Sequence, residues 1–218
     1  METTPPPRGR EDGERGEGRV VARTLGAMAN SRDEPSVIDA WCTGRDWRWR
    51  AVLLALLVWQ ATRQLREPES WSIFGGITFG VHEFGHLFFS LFGSEWLAVA
   101  GGSLMQLLIP IGAMAVIGKT SKDLFGVTAT AAWLAASLGD LAVYIADARA
   151  QELDLLSFSE DGGGHDWHFL LAHAGLLKQD IAVARFTRFV AILVILAAIL
   201  ASAYLFGRMA KLRTKPTA

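Results

Sequence analysis

The sequence predicts an all-α integral membrane protein, with four to five transmembrane helices behind a disordered N-terminal tail. Three observations carry that expectation. Of 218 residues, 51% are apolar and 20% charged, and the mean hydropathy is +0.27. The apolar residues gather into nearly uncharged blocks, long enough for a hydrocarbon core about 30 Å thick. The first 45 residues, by contrast, are polar and rich in Pro, Gly and Arg. A soluble globular enzyme is excluded as the default reading. Lys and Arg number 21 against 22 Asp and Glu, so a net charge of −1 gives no electrostatic reason to expect a nucleic-acid partner. The single cysteine, Cys42, excludes an internal disulfide and a Cys-rich zinc module.

Residues 1–45 include Pro5-Pro6-Pro7 and the interleaved charges Glu11-Asp12-Gly13-Glu14-Arg15. Such a segment cannot bury enough apolar surface to offset its chain entropy, and is expected to be disordered. It lacks the charged start, apolar core and small-residue cleavage site of a signal peptide, so the first span itself is expected to direct insertion. A basic amphipathic anchor over Val20 to Met28 is the alternative for part of the tail.

The transmembrane domain is expected over 46–212. Its first segment, 48–66, has an uncharged core from Ala51 to Thr62 between Arg48, Arg50, Arg63 and Arg66, whose stems can snorkel to the interfaces. It either spans or lies shallow. The second, 70–94, carries Glu83 as its one formal charge; the third, 96–118, carries none; the fourth, 124–146, carries Asp140. The fifth, 188–207, is followed by Arg208, Lys211, Arg213 and Lys215. Trp47, Trp49, Trp71, Trp96 and Trp167 lie near segment ends, where indole rings favour the headgroup level. Five crossings would place the two basic flanks on opposite sides, against the positive-inside rule, so sidedness stays open. The long loop, 147–184, holds Gly162-Gly163-Gly164 and then His165-Asp166-Trp167-His168.

Within the second segment, His82-Glu83-Phe84-Gly85-His86 is H-E-x-x-H on a predicted helix. Residues four apart share a helix face, so both imidazoles can reach one ion while Glu83 lies beside its open position. With five His and eleven Glu in the chain, chance produces this pattern in well under about one such chain in a hundred. Zinc with an activated water suits these residue types. The alternative, a pair of histidines bonding neighbouring helices, leaves the cost of Glu83 in the bilayer unrelieved. Gly76 and Gly80 form a small-xxx-small pair, and Gly101-Gly102-Ser103 opens the third segment, both signs of close helix packing. Gln106 is a polar group on an apolar helix, either interhelical glue or a partner for a metal ligand or substrate backbone.

A catalytic zinc takes a third protein ligand. If the second and fourth segments start from one face, His86 and Asp140 both lie roughly 24 Å in at 1.5 Å per residue, which makes Asp140 the leading candidate. Asp147 falls roughly 10 Å further on, at the far interface. His165, Asp166 and His168 remain alternatives, because their loop leaves from the side where the second segment ends. The plainer reading of that loop is interfacial, with Trp167 anchored among headgroups. His173 reads as a surface or packing histidine.

Val81-His82-Glu83-Phe84-Gly85-His86 and the following Gly101-Gly102-Ser103 resemble the M50 or site-2-protease family of intramembrane zinc metalloproteases. Tyr144-Ile145-Ala146-Asp147-Ala148 and His165-Asp166-Trp167 are similar to stretches in an M50-like set of bacterial membrane proteins. The likeness covers roughly 71–180. It implies a bacterial cytoplasmic membrane location, a Zn2+ cofactor, peptide-bond hydrolysis of membrane-protein substrates, and an aspartate ligand in a later span, here Asp140. The chain reads Ser137-Leu138-Gly139-Asp140 where the family has Asn, Pro and Leu-Asp-Gly, and it carries no PDZ domain. A metalloprotease-like scaffold that binds membrane partners without turnover is the competing expectation. A di-iron oxygenase needs more histidines than five, and a transporter needs charges along several spans.

Overall fold

The structure, a computed structural model, describes residues 36–153 and 164–213. The proposed anchor at 20–28 and the first two glycines of the 162–164 run lie outside the described residues. Seven α-helices are described: α1 Val37–Cys42, α2 Arg48–Arg66, α3 Gly75–Ser90, α4 Glu95–Val116, α5 Leu124–Ala146, α6 Asp166–His173 and α7 Asp180–Arg213. A π-turn over Ile117–Ser121 extends α4, and a 3-10 turn over Leu177–Gln179 leads into α7. Three helical stretches, Glu95–Ser121, Leu124–Ala146 and Leu177–Leu212, are long and apolar enough to cross a membrane.

The core is the antiparallel pair α5 and α7. On α7, Ala184, Ala191, Ala198 and Leu205 recur every seven residues and are all buried. A 3.5-residue period keeps one seam facing its partner, and small side chains let the backbones approach. Along that seam Ala184 meets Leu141 and Ile145, Ala198 meets Ala132, and Leu205 meets Phe125. The Ser202 hydroxyl bonds Thr128 Oγ1 at 2.7 Å, satisfying two polar groups inside the seam. The outward face of α7 keeps Leu193, Leu196 and Leu200 between 49 and 69% exposed, a surface that favours lipid over water.

Helix α2 runs the length of this pair beside α5. Leu53 and Leu54 join Phe125 and Met209 near one end, Leu57 packs on Ala132 and Ala198, and Gln64 reaches Asp140 near the other. Where α2 starts, α1 docks on the last turns of α7. Asp39 pairs with Arg208, Cys42 Sγ lies 3.9 Å from the Leu205 carbonyl, and the Trp41 indole donates to the Lys122 carbonyl. This is the basal end. Residues 37–42, expected within a structureless tail over 1–45, instead form α1, because Ser36 caps that helix and Cys42 has a buried seat.

The second predicted span, 70–94, is not one helix of spanning length: its helix is the sixteen residues of α3. After α2 the chain turns back into the bundle, where the Ile73 N–H donates to Gln60 Oε1 (3.1 Å), Ser72 is buried and Phe74 stacks on Trp133. Gln60 lies two thirds of the way along α2 and Trp133 near the middle of α5, so α3 begins inside the bundle, short of the basal end. Its sixteen residues, about 24 Å at the helical rise, return to the end where α4 begins. Segment 67–94 thus enters and leaves at one end, here termed the cavity end. Four helices, α2, α4, α5 and α7, run the bundle length, which puts the start of α2 and the end of α7 together at the basal end.

The tight α3–α4 crossing lies at Gly85 and Gly101, not at the predicted Gly76 and Gly80, whose surroundings are open. A Cβ on Gly85 would fall on the Gly101 carbonyl and 2.7 Å from Met105 Cβ; one on Gly101 would lie 2.6 Å from the Gly85 carbonyl. Gly85→Val should therefore lower stability by about 1–3 kcal/mol through overpacking. Gly76→Ala should be neutral or stabilising by about 1 kcal/mol, since it only improves helix propensity. Thermal unfolding midpoints in detergent compare the two.

Candidate metal centre

The crossing at Gly85 sets the floor on which two histidines rest. Both lie on the α3 face turned to α4, and a Cβ on Gly102 would come within 2.5 Å of His86 Nε2 and 2.6 Å of His82 Nε2. Glycine at 102 leaves that space to the imidazoles. Each ring is fixed from behind. The His82 Nδ1–H donates to Gln106 Oε1 at 2.7 Å, and Gln106 Nε2 donates onward to the Ser137 carbonyl, which settles which end of the amide accepts. The His86 Nδ1–H donates to the Ala98 carbonyl at 2.9 Å. With both Nδ1 atoms serving as donors, both Nε2 lone pairs point forward.

A carboxylate meets them. Asp166 is the first residue of α6, which His165 caps by accepting the His168 N–H at its Nδ1 (3.2 Å). The Asp166 N–H donates to the Tyr144 hydroxyl oxygen at 3.0 Å, and the Trp167 indole donates to Ser103 Oγ at 3.1 Å. Trp167 is thus an interhelical clamp tying α6 to α4, not the headgroup anchor its type suggested. His165 stacks on Tyr144 with ring centroids 4.3 Å apart, and its Nε2 lies 3.3 Å from Asp147 Oδ2. Burial holds the His165 imidazole below its ordinary pKa, against the pull of Asp147. Asp147 also accepts the N–H groups of Glu152 and Leu153, which shapes the chain leaving α5.

The three donor atoms form a near-equilateral triangle. His82 Nε2 to His86 Nε2 is 3.0 Å, and each lies 3.2 Å from Asp166 Oδ2. Burial pushes the Asp166 carboxyl up, but the two facing imidazoles outweigh it and hold the group below the usual carboxylate range. Three acceptors this close repel one another unless positive charge lies among them, either a shared proton or a metal ion. Tetrahedral zinc with bonds of about 2.0–2.2 Å holds its donor atoms about 3.3–3.6 Å apart, so the triangle fits such an ion after adjustments of a few tenths of an ångström. Among the described residues, this is the one group of three or more His, Cys, Asp or Glu side chains so assembled.

Asp140 does not join it. It stands at the expected height, six residues from the end of α5, but its Oδ1 accepts the Gln64 amide of α2 at 3.1 Å. Counting residues measures height along a helix, whereas the ligand set depends on rotation about the axis. Asp147, His165 and His168 lie outside the triangle as well; the His168 Nδ1–H donates to the Ala148 carbonyl at 2.8 Å. Glu83 lines the same cavity as the triangle, a space of about 1080 Å³ open between the 68–72 turn and α6. Asp140, His168 and His173 border it without sharing the donor cluster. Sequence reasoning missed Tyr144 and Gly102 as supports. The recurrence of Tyr144 to Ala148 together with His165 to Trp167 was the available signal, since the structure brings those stretches into contact.

No protein-family model matches the chain, and no curated protein or solved structure matches it either. The geometry alone separates the candidates. Asp166→Ala should lower metal content of the purified protein by tenfold or more, while Asp140→Ala should leave it unchanged. Elemental analysis after dialysis against equal metal concentrations reads the difference.

Proposed function

We propose that this chain is a multi-pass protein of the bacterial cytoplasmic membrane and a zinc metalloprotease of the M50-like kind, with His82, His86 and Asp166 as ligands. The carrying observation is the convergence of two outward-facing Nε2 lone pairs and one carboxylate oxygen within 3.2 Å of one another. Zinc, when bound, supplies Lewis acidity that polarises a carbonyl and brings the acidity of water close to neutrality. The protein supplies the rest. Glu83 reaches the same cavity and acts as general base, taking a proton from water and returning it to the leaving amine. Gln106 and the Ala98 carbonyl keep both rings in the tautomer that presents Nε2. The 1080 Å³ cavity is large enough for several residues of extended chain.

Two histidines and one carboxylate also hold ferrous iron in oxygenases. Glu83 beside the site favours hydrolysis, because oxygen activation has no use for a base at that position. Iron in place of zinc in the purified protein would overturn the reading.

Two substitutions test the roles apart. Glu83→Gln should retain zinc and lose cleavage by at least about a hundredfold, the usual contribution of a positioned acid–base group. Gln106→Leu should leave the base in place and weaken zinc binding about 10–100-fold. Full cleavage by Glu83→Gln would sink the mechanism.

A further inference from the structure

A second cavity, of about 200 Å³, lies where α2, α5 and α7 meet. Buried Ala61, Ala135 and Ala191 leave the space, and the less buried Leu65, Ile192 and Ile195 border it at the bundle surface. Gln64 is the partition between this groove and the metal cavity. Its Nε2 donates to the Ala136 carbonyl at 3.0 Å and to Asp140 Oδ1 at 3.1 Å, and Asp140 lines the metal cavity. With that amide engaged, the one charged group on the groove is Arg188. It is half-buried and, among the described residues, has no hydrogen-bond or ion-pair partner. Arg66 and Arg185 at the same end of the bundle are exposed and likewise unpaired, whereas Arg63 faces Glu67 at 3.8 Å and Arg149 faces Asp180 at 2.6 Å.

The place of Arg188 along α7 makes charge and groove one site. Residues 189–207 carry no formal charge and extend about 28 Å at the helical rise, close to a hydrocarbon core about 30 Å thick. Arg188 therefore marks one boundary of that layer, and Ile192 and Ile195 lie about 6 and 10 Å inside it. A guanidinium at the boundary with an apolar slot beneath it matches a phospholipid, whose phosphate sits at headgroup level above its acyl chains. Arginine pairs with phosphate through parallel N–H donors, and basic pockets between membrane helices take anionic headgroups. The geometry points to a binding site for one anionic phospholipid, its phosphate on Arg188 and the upper part of an acyl chain in the α2–α5–α7 groove. Arg66 and Arg185 add positive potential around the headgroup, which favours net negative charge over a zwitterion. An extended peptide fits less well, because the Gln64 amide is engaged and the peptide's own N–H groups would find no acceptor there. The site rests on the membrane reading alone and is independent of metal and peptidase chemistry.

Native mass spectrometry of the full chain in mild detergent tests it, with phosphatidylglycerol and phosphatidylethanolamine of identical acyl chains as probes. The unsubstituted protein should hold one phosphatidylglycerol about fivefold or more tightly than phosphatidylethanolamine, on the scale of one basic residue at an anionic headgroup. Arg188→Gln should weaken phosphatidylglycerol by a similar factor, and Arg185→Gln, which removes the same charge away from the groove, should weaken it less. Ala61→Leu, which fills the groove without altering charge, should weaken both lipids. Soluble glycerophosphate should displace neither. Equal affinity for the two lipids, equal loss in Arg188→Gln and Arg185→Gln, undiminished binding by Ala61→Leu, or displacement by glycerophosphate overturns the site. The unsubstituted chain supplies a measurement that no folding defect can obscure: phosphatidylglycerol should raise its thermal unfolding midpoint more than phosphatidylethanolamine does, and equal shifts overturn the preference.

Discussion

The candidate metal site depends on one close backbone contact. Gly85 and Gly101 let α3 and α4 touch main chain to main chain, and from that contact both imidazoles come to rest against Gly102. A single methyl at either crossing position would push the helices apart. The rings would then lose their backing donors' partners, the Gln106 amide and the Ala98 carbonyl, because both belong to α4. Hydrogen bonds of this kind tolerate only a few tenths of an ångström. The glycines therefore act on chemistry through distance, with no side chain of their own to contribute.

The third donor arrives from another direction and is held by different means. Asp166 sits at the N-terminus of a short helix, a position that favours a carboxylate by itself. Three contacts aim it: Tyr144 at its backbone, His165 as the cap, and Trp167 anchored to Ser103. Two come from side chains on the long helices α4 and α5, so the loop helix is registered to the same bundle that carries the histidines. An eight-residue helix would be only marginally stable in isolation; here its position is set by tertiary contacts.

Much of this was legible before any coordinates. The fourth predicted span coincides with α5, the first predicted segment shares its bounds with α2 although α2 is not among the three helices apolar enough to cross a membrane, and H-E-x-x-H lies on a helix as its spacing requires. What failed has a common cause. A hydropathy run reports how apolar a segment is, not whether it turns back halfway; residues 70–74 are folded against Gln60 and Trp133 by contacts distant in sequence. Asp140 failed similarly. Its height was right, but Gln64, 76 residues earlier, claims its carboxylate. Trp167 looked like an interfacial anchor because the composition of its loop cannot reveal that Ser103 awaits its indole. Helix 37–42 was hidden because a six-residue helix has too little periodicity to show, and it persists through Asp39, Trp41 and Cys42 docking elsewhere.

The half-span also changes how a charged group is accommodated in an apolar bundle. Had 70–94 crossed, Glu83 and the histidines would have been enclosed on all sides by spans, with water reaching them only through a channel. Because α3 begins inside the bundle and rises to the cavity end, its polar face opens into a space that continues to that end, and Glu83 remains partly exposed. The cost of placing ionisable groups within the apolar layer falls steeply where they contact water or each other. The re-entrant course thus leaves Glu83 and the His82, His86 and Asp166 cluster open to one end of the bundle.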